Sequence, residues 1–205
     1  SFLWRWWERT TDESREAFAA LVGSGQIELV NGGWTMEDEA SVDYVSAIDQ
    51  MTLGHEWLQH TMKAAGLDWD KVKPHIGWQI DPFGASKVTP IIQNKFGMDL
   101  LVINRIDERL KNDPGVMGNN QELEFTWHPS RSEPDLAQFT HVLFPHYCSP
   151  GGFDWEGDTT TNPPINATNV EARAAEYVRQ VTFWASRYRS GHVIAPFGCD
   201  FEFKI

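Results

Sequence analysis

The stretch from Ile76 to Ile103 constrains the fold most, because it reads as strand, turn, helix and strand in succession. Ile76, Trp78 and Ile80 alternate with Gly77 and Gln79, the two-residue period of a β-strand. Pro82 and Gly84 break that strand, Ser86 is a helix-capping residue, and a helix is predicted from Ser86 to about Phe96. Asp99 to Ile103 then reads as a buried apolar strand. A strand reached through a crossover helix pairs in parallel with the strand before it. The expected class is therefore α/β, either a mostly parallel sheet or a distorted (β/α) barrel with flanking helices.

The remaining pattern extends this order. Leu3 to Val22 reads as a helix with Glu13, Arg15 and Glu16 on its polar face, closed by Gly23-Ser24-Gly25, and a short strand follows from Ile27 to Val30. A long helix is predicted from about Ala40 to Ala65. Between Glu108 and Thr140 the signal weakens to a turn at Asn112-Asp113-Pro114-Gly115 and a β-like stretch from Leu123 to Trp127. Gly151 to Thr168 is a polar, proline-rich loop. A last helix, Val170 to Arg189, leads to a strand from His192 to Pro196. On this reading Asn31, Asp81, Arg105 and Asp200 each follow a strand, so four strands bring polar groups to one rim, where α/β folds build active sites. Neither repeat nor linker interrupts the 205 residues, so one domain is expected. Its sequence starts inside a helical pattern and stops at Phe201 to Ile205 just after a motif, the expectation for a piece truncated at both ends.

Charge narrows the partners. With 17 Lys and Arg against 29 Asp and Glu, a net charge of −12 and a pI near 4.9, the chain lacks the basic face that nucleic acid requires. No apolar run reaches the roughly 18 residues of a membrane span, and the start has no signal-peptide pattern. Cys148 and Cys199 lack metal-ligand spacing; buried free thiols are expected, with a bridge beside Tyr147 and Asp200 as the alternative. Asn166-Ala167-Thr168 is an acceptor triplet for N-glycosylation.

Asp81, where an apolar strand stops and a helix is about to begin, is displayed as a catalytic carboxylate would be, and on local grounds it serves equally well as a turn cap. Seven words in order point further: Phe2-Leu3-Trp4-Arg5-Trp6-Trp7, Asn31-Gly32-Gly33-Trp34 leading to Asp38-Glu39-Ala40, Asp49-Gln50-Met51-Thr52-Leu53-Gly54, Trp78 to Gly84, Asn104-Arg105-Ile106-Asp107, His146-Tyr147-Cys148-Ser149-Pro150 and Gly198-Cys199-Asp200-Phe201. With these words the chain resembles glycoside hydrolase family 38, the retaining α-mannosidases, most closely the lysosomal or vacuolar type. The resemblance implies that residues 1–205 are part of a single N-terminal catalytic α/β domain acting on an α-mannoside or N-glycan in a lysosome or vacuole, or after secretion.

What it implies for single residues is specific. Asp81 matches the nucleophile, which also contacts the metal, and Asp200 matches the acid/base. Retaining hydrolysis places two such carboxyl groups about 5–5.5 Å apart, and an empty site is expected to hold them within roughly 5–7 Å. Phe83 matches an aromatic residue packed on the sugar, with an apolar core role as the alternative. Arg105 matches an arginine near the nucleophile, the alternative being an ion pair with Asp107 or Glu108. Tyr147 resembles a substrate-binding tyrosine in a turn polar enough to be exposed. Trp4, Trp6 and Trp7 suit helix packing better than sugar stacking, and Trp34 suits either.

The family's single zinc ion is held by the nucleophile, by a His-x-Asp pair near the domain's start and by a distant His. Of these only Asp81 is present, and no His-x-His or His-Glu-x-x-His stands in, His55 and His60 lying on different helix faces. The isolated chain is thus expected to be inactive and to bind zinc weakly. A catalytically silent glycan-binding or structural piece is the second reading; Ala85, where relatives more often carry a larger polar residue, agrees with it.

Overall fold

A computed structural model describes residues 2–40, 42–112, 116–154 and 162–200. In chain order the elements are α1 (Phe2–Arg9), α2 (Asp12–Gly23), α3 (Tyr44–Ala64), α4 (Trp69–Val72), β1 (Ile76–Gln79), α5 (Val88–Lys95), β2 (Leu100–Ile103), α6 (Glu108–Asn112), β3 (Glu124–Trp127), β4 (Gln138–Val142) and α7 (Val170–Ala185). The strands form one mixed, mostly parallel sheet in the order β1-β2-β4-β3, so the class is α/β as the sequence predicts. The β1–α5–β2 crossover stands within a residue or two of its predicted limits. Among the described residues no helix is long and apolar enough to cross a membrane.

Several expectations fail for physical reasons. The predicted helix over Leu3 to Val22 is two helices, because the Thr11 side chain accepts from the Ser14 amide and starts a new helix with Asp12 and Glu13 in its first turn. α3 begins after Asp43, whose carboxylate accepts from the amides of Val45 and Ser46, and not at Ala40. Ile27 to Val30 is not a strand: the chain meets β1 through the bond from Asn31 N–H to the Ile76 carbonyl at 2.6 Å and then turns away at Asn31 with φ 57°. His192 to Pro196 is likewise outside any strand, and α7 stops at Ala185, short of Arg189. Asn31 and Asp200 therefore do not follow strands, whereas Asp81 and Arg105 do. Asp113 to Gly115 of the predicted turn, part of the Gly151 to Thr168 loop, and Phe201 lie outside the described residues.

Contacts group the chain into two compact units, residues 1–102 with 126–140 and residues 103–125 with 141–205. In the first, Val22, Leu29, Leu58 and Met62 form a core that gathers Leu3, Trp7 and Phe18, while Met51 packs with Ala47, Ile92 and Met98. Fully burying Met51 or Met62 contributes about 1.5–3 kcal/mol each. Trp6 and Trp7 pack on Phe18 of α2, the helix-packing role expected of them, while Trp4 lies 5.6 Å from Trp34, which is outside any helix. α3 meets the loop after Asn31 at Gly54, where a Cβ would stand 2.1 Å from the Gly32 carbonyl oxygen. In the second unit, buried His141 bonds Glu124 at 3.0 Å and stacks on Tyr188 at 4.7 Å. Tyr188 also donates to the Val142 carbonyl at 2.9 Å.

Candidate functional site

Asp81 is an exposed residue in the loop that leaves β1, two positions beyond Gln79. Pro82 and Gly84, the latter at φ 88°, turn the chain toward α5. Phe83 is 65% exposed at the loop's outer side, so the apolar core role is not the one it takes. Beneath the loop lies a polar network that includes two carboxylates. The Gln79 side chain, 1% exposed, donates to the Glu37 carbonyl at 3.3 Å and to Glu39 Oε1 at 3.2 Å. Glu39 Oε2 accepts from the Ser86 amide at 2.5 Å, and Glu39 also bonds the Thr89 hydroxyl. Glu37 Oε2 accepts from Gln50 of α3 at 2.7 Å. Burial pushes both glutamates above the usual carboxylate range, against the hydrogen bonds that lower them. Next to this network, Asn31 Oδ1 accepts from Gln93 Nε2 at 3.0 Å and from the Trp78 amide at 3.3 Å, while His55 Nε2 meets the Asn31 carbonyl at 2.9 Å.

In the second unit the structure brings Arg105, Tyr147 and Asp200 together. Arg105 Nη2 donates to the Tyr147 hydroxyl oxygen at 2.6 Å, and that hydroxyl donates to Asp200 Oδ1 at 2.6 Å. Arg105 Nη2 also stands 3.8 Å from Asp200 Oδ2, and its guanidinium lies 5.4 Å from the tyrosine ring centre. Of the two alternative partners of Arg105, Asp107 binds Arg109 at 2.9 Å and Glu108 accepts from the Asn112 side chain. Tyr147 is not exposed as predicted: at 7% exposure its ring is covered, with His146 only 4.1 Å away, and its hydroxyl faces the arginine and the aspartate. Asp200 is exposed.

The expectation of free thiols is also corrected. Cys148 and Cys199 are bridged, with Cα atoms 4.4 Å apart, so the neighbours of Tyr147 and Asp200 are covalently joined. Paired bonds between Ser149 and Gly198, amide to carbonyl and amide to hydroxyl at 3.0 Å each, reinforce the joint. Behind it, buried Lys111 donates to Asn104 Oδ1 at 3.1 Å and to the Pro145 carbonyl at 3.2 Å, linking the residues before Arg105 and Tyr147. Burial lowers its ammonium from 10.5 to about 8.

Glu37, Glu39 and Lys111 carry no role in the sequence reading, though Glu39 stands in one of its quoted words. Nothing local marks Lys111, since a lysine near a helix end reads as solvated surface. Among the described residues no group of three or more His, Cys, Asp or Glu side chains is placed to hold a metal ion. The described residues therefore do not fit a zinc site, for which protein supplies at least three ligands.

Each unit thus presents a carboxylate, Asp81 past the end of β1 in the first and Asp200 backed by tyrosine and arginine in the second. Residues 1–204 match the model of the glycosyl hydrolases family 38 N-terminal domain, and the chain belongs to that family. Alpha-mannosidase C of Dictyostelium discoideum is 39% identical over 98% of the chain, and alpha-mannosidase B of the same organism is 40% identical over 97%. The lysosomal alpha-mannosidase of Cavia porcellus is 32% identical over the whole chain. The chain spans about a fifth of the length of these relatives, 20%, 21% and 20% in turn.

Proposed function

We propose that this chain is part of a single catalytic domain of a retaining exo-α-mannosidase that removes terminal α-linked mannose from glycans. The observation that carries the reading is the Arg105–Tyr147–Asp200 relay in a chain whose family and relatives are those above. Asp81 attacks the anomeric carbon and forms a glycosyl ester while Asp200 protonates the departing glycosidic oxygen. Asp200 then takes a proton from water, whose oxygen attacks the same carbon and releases Asp81, so the configuration is retained. Tyr147 grips Asp200 through Oδ1 and leaves Oδ2 to give and retake the proton. Exposed Phe83 offers its ring to the sugar's apolar face. No step is assigned to zinc, for which Asp81 is the one ligand this chain would add.

A lumenal setting, lysosome, vacuole or exterior, accords with the Cys148–Cys199 bridge, since disulfides persist in oxidising compartments. It accords too with the exposed triplet at Asn166, whose Oδ1 accepts from the Thr168 amide at 2.9 Å and hydroxyl at 2.6 Å. The test is the product's anomeric form. Proton NMR of the full-length protein on an aryl α-mannoside should show α-mannose first; β-mannose first would overturn the retaining mechanism, and no hydrolysis would overturn the activity.

A further inference from the structure

Four of the five residues from Asp81 to Ala85 are exposed, Pro82 being half-buried. Both ends of this loop meet one side chain that belongs to neither. Glu39 lies far earlier in the chain, yet Oε1 accepts from Gln79, two residues before Asp81, and Oε2 accepts from the amide of Ser86, five residues after it. A third donor, the buried Thr89 hydroxyl, adds the first turn of α5. We propose that Glu39 is a positioning residue that clamps the base of the Asp81 loop, holding the carboxylate of residue 81 in register with its substrate. The proposal rests on the reading of Asp81 as nucleophile.

The chemistry suits the task. An ionised carboxyl group accepts only and has lone pairs for all three donors, whereas any neutral replacement leaves one unmet. A glutamine has one accepting and one donating arm, so it presents N–H either to the Ser86 amide or to the Gln79 amide. Turning Gln79 over does not help, because its oxygen would then face the Glu37 carbonyl. The clamp is itself tied to a rigid element. Gln79 holds the Glu37 carbonyl, and the Glu37 carboxylate holds Gln50 of α3, which in turn accepts from the Thr35 amide at 3.0 Å. Burial pushes the Glu39 carboxyl upward, and the hydrogen bonds from Ser86, Thr89 and Gln79 oppose that by favouring the ionised, three-donor form.

The test compares Glu39→Ala, Glu39→Gln and Glu37→Gln in the full-length protein by amide hydrogen exchange, alongside kcat and KM on an aryl α-mannoside. In Glu39→Ala, exchange of the amides from Asp81 to Ser86 should rise about tenfold or more while those of α3 stay protected. Because a misplacement of about 1 Å costs on the order of 100-fold, kcat should fall by about that factor with KM little changed. Glu39→Gln should give a smaller change of the same kind. Glu37→Gln, which keeps the Glu37 carbonyl, should leave exchange at 81–86 as in wild type. Wild-type protection of residues 81–86 in Glu39→Ala would overturn the clamp, as would equal loss there in Glu37→Gln. If Glu39→Ala does not fold, Glu39→Gln decides in the same terms. A wild-type protein that hydrolyses no α-mannoside would remove the mannosidase reading, and exchange alone would still judge the clamp.

Discussion

The loop of Asp81 and the segment of Asp200 are held in opposite ways. Asp81 sits on an exposed turn whose base is fixed by hydrogen bonds to the half-buried Glu39 carboxylate below it. Asp200 is held by a covalent bridge at the preceding residue and by a tyrosine and an arginine directed at its oxygens. In the roles proposed above, the loop of the nucleophile is constrained one layer beneath it, and the acid/base is held by a donor on its own carboxylate. The difference implies that reductant and alkaline pH act chiefly on the Asp200 region, and substitution of buried acids chiefly on the Asp81 region.

The largest expected effect separates the two carboxylates by chemistry. In the full-length protein Asp81→Asn should abolish turnover of every substrate, because an amide cannot form the glycosyl ester. Asp200→Asn should spare a substantial part of the rate on an activated aryl mannoside, whose leaving group departs without protonation. Equal losses on that substrate would remove the acid/base role of Asp200.

A middle effect separates them by redox state. Replacing Cys148 and Cys199 together by serine should lower kcat by about tenfold or more by loosening Tyr147 and Asp200, a misplacement cost of the kind seen when catalytic geometry slackens. Hydrogen exchange at 81–86 should stay as in wild type. Loosening of the Asp81 loop in that variant would break the comparison.

The smallest effect separates them by pH. Lys111 has a folded value of about 8 against an ordinary 10.5, so between those values the unfolded chain binds the proton and the folded one does not. Stability from this group is therefore full above about 10.5 and is lost as pH falls through about 8. Urea titrations should show wild type gaining stability between pH 8 and pH 10 relative to Lys111→Met, with a slope of one proton at most. Glu37 and Glu39 carry the opposite sign: their raised values give a contribution full below 4.5 that declines as pH rises through the folded values. Parallel profiles for wild type and Lys111→Met would show that Lys111 is not titrating as its burial demands.

The sequence makes the β1–α5–β2 unit legible because its signals are local: alternation, a Pro and Gly break, and a helix pattern in one window. The Asp81 turn is readable for the same reason. β4 was not, since Gln138, Thr140 and His141 are polar yet buried and blur any apolar alternation. His192 to Pro196 misled in the other direction, for an apolar run becomes a strand only where a partner edge meets it. The bridge between Cys148 and Cys199 spans 51 positions, and the Tyr147 hydroxyl finds Arg105 42 positions away; neither distance is written in local pattern. Glu39 was hidden likewise, since its clamp joins residues 40 and 47 positions ahead.

The central claim is that Asp81 forms the covalent intermediate. It is tested most directly by incubating the full-length protein with an activated fluoro-mannoside that slows the second step, then digesting it and locating the added sugar by tandem mass spectrometry. The account predicts one mannosyl-type adduct per chain on the Asp81 carboxylate, present in Asp200→Asn and absent in Asp81→Asn. An adduct on Asp200 or another residue, with Asp81 unmodified, would contradict it.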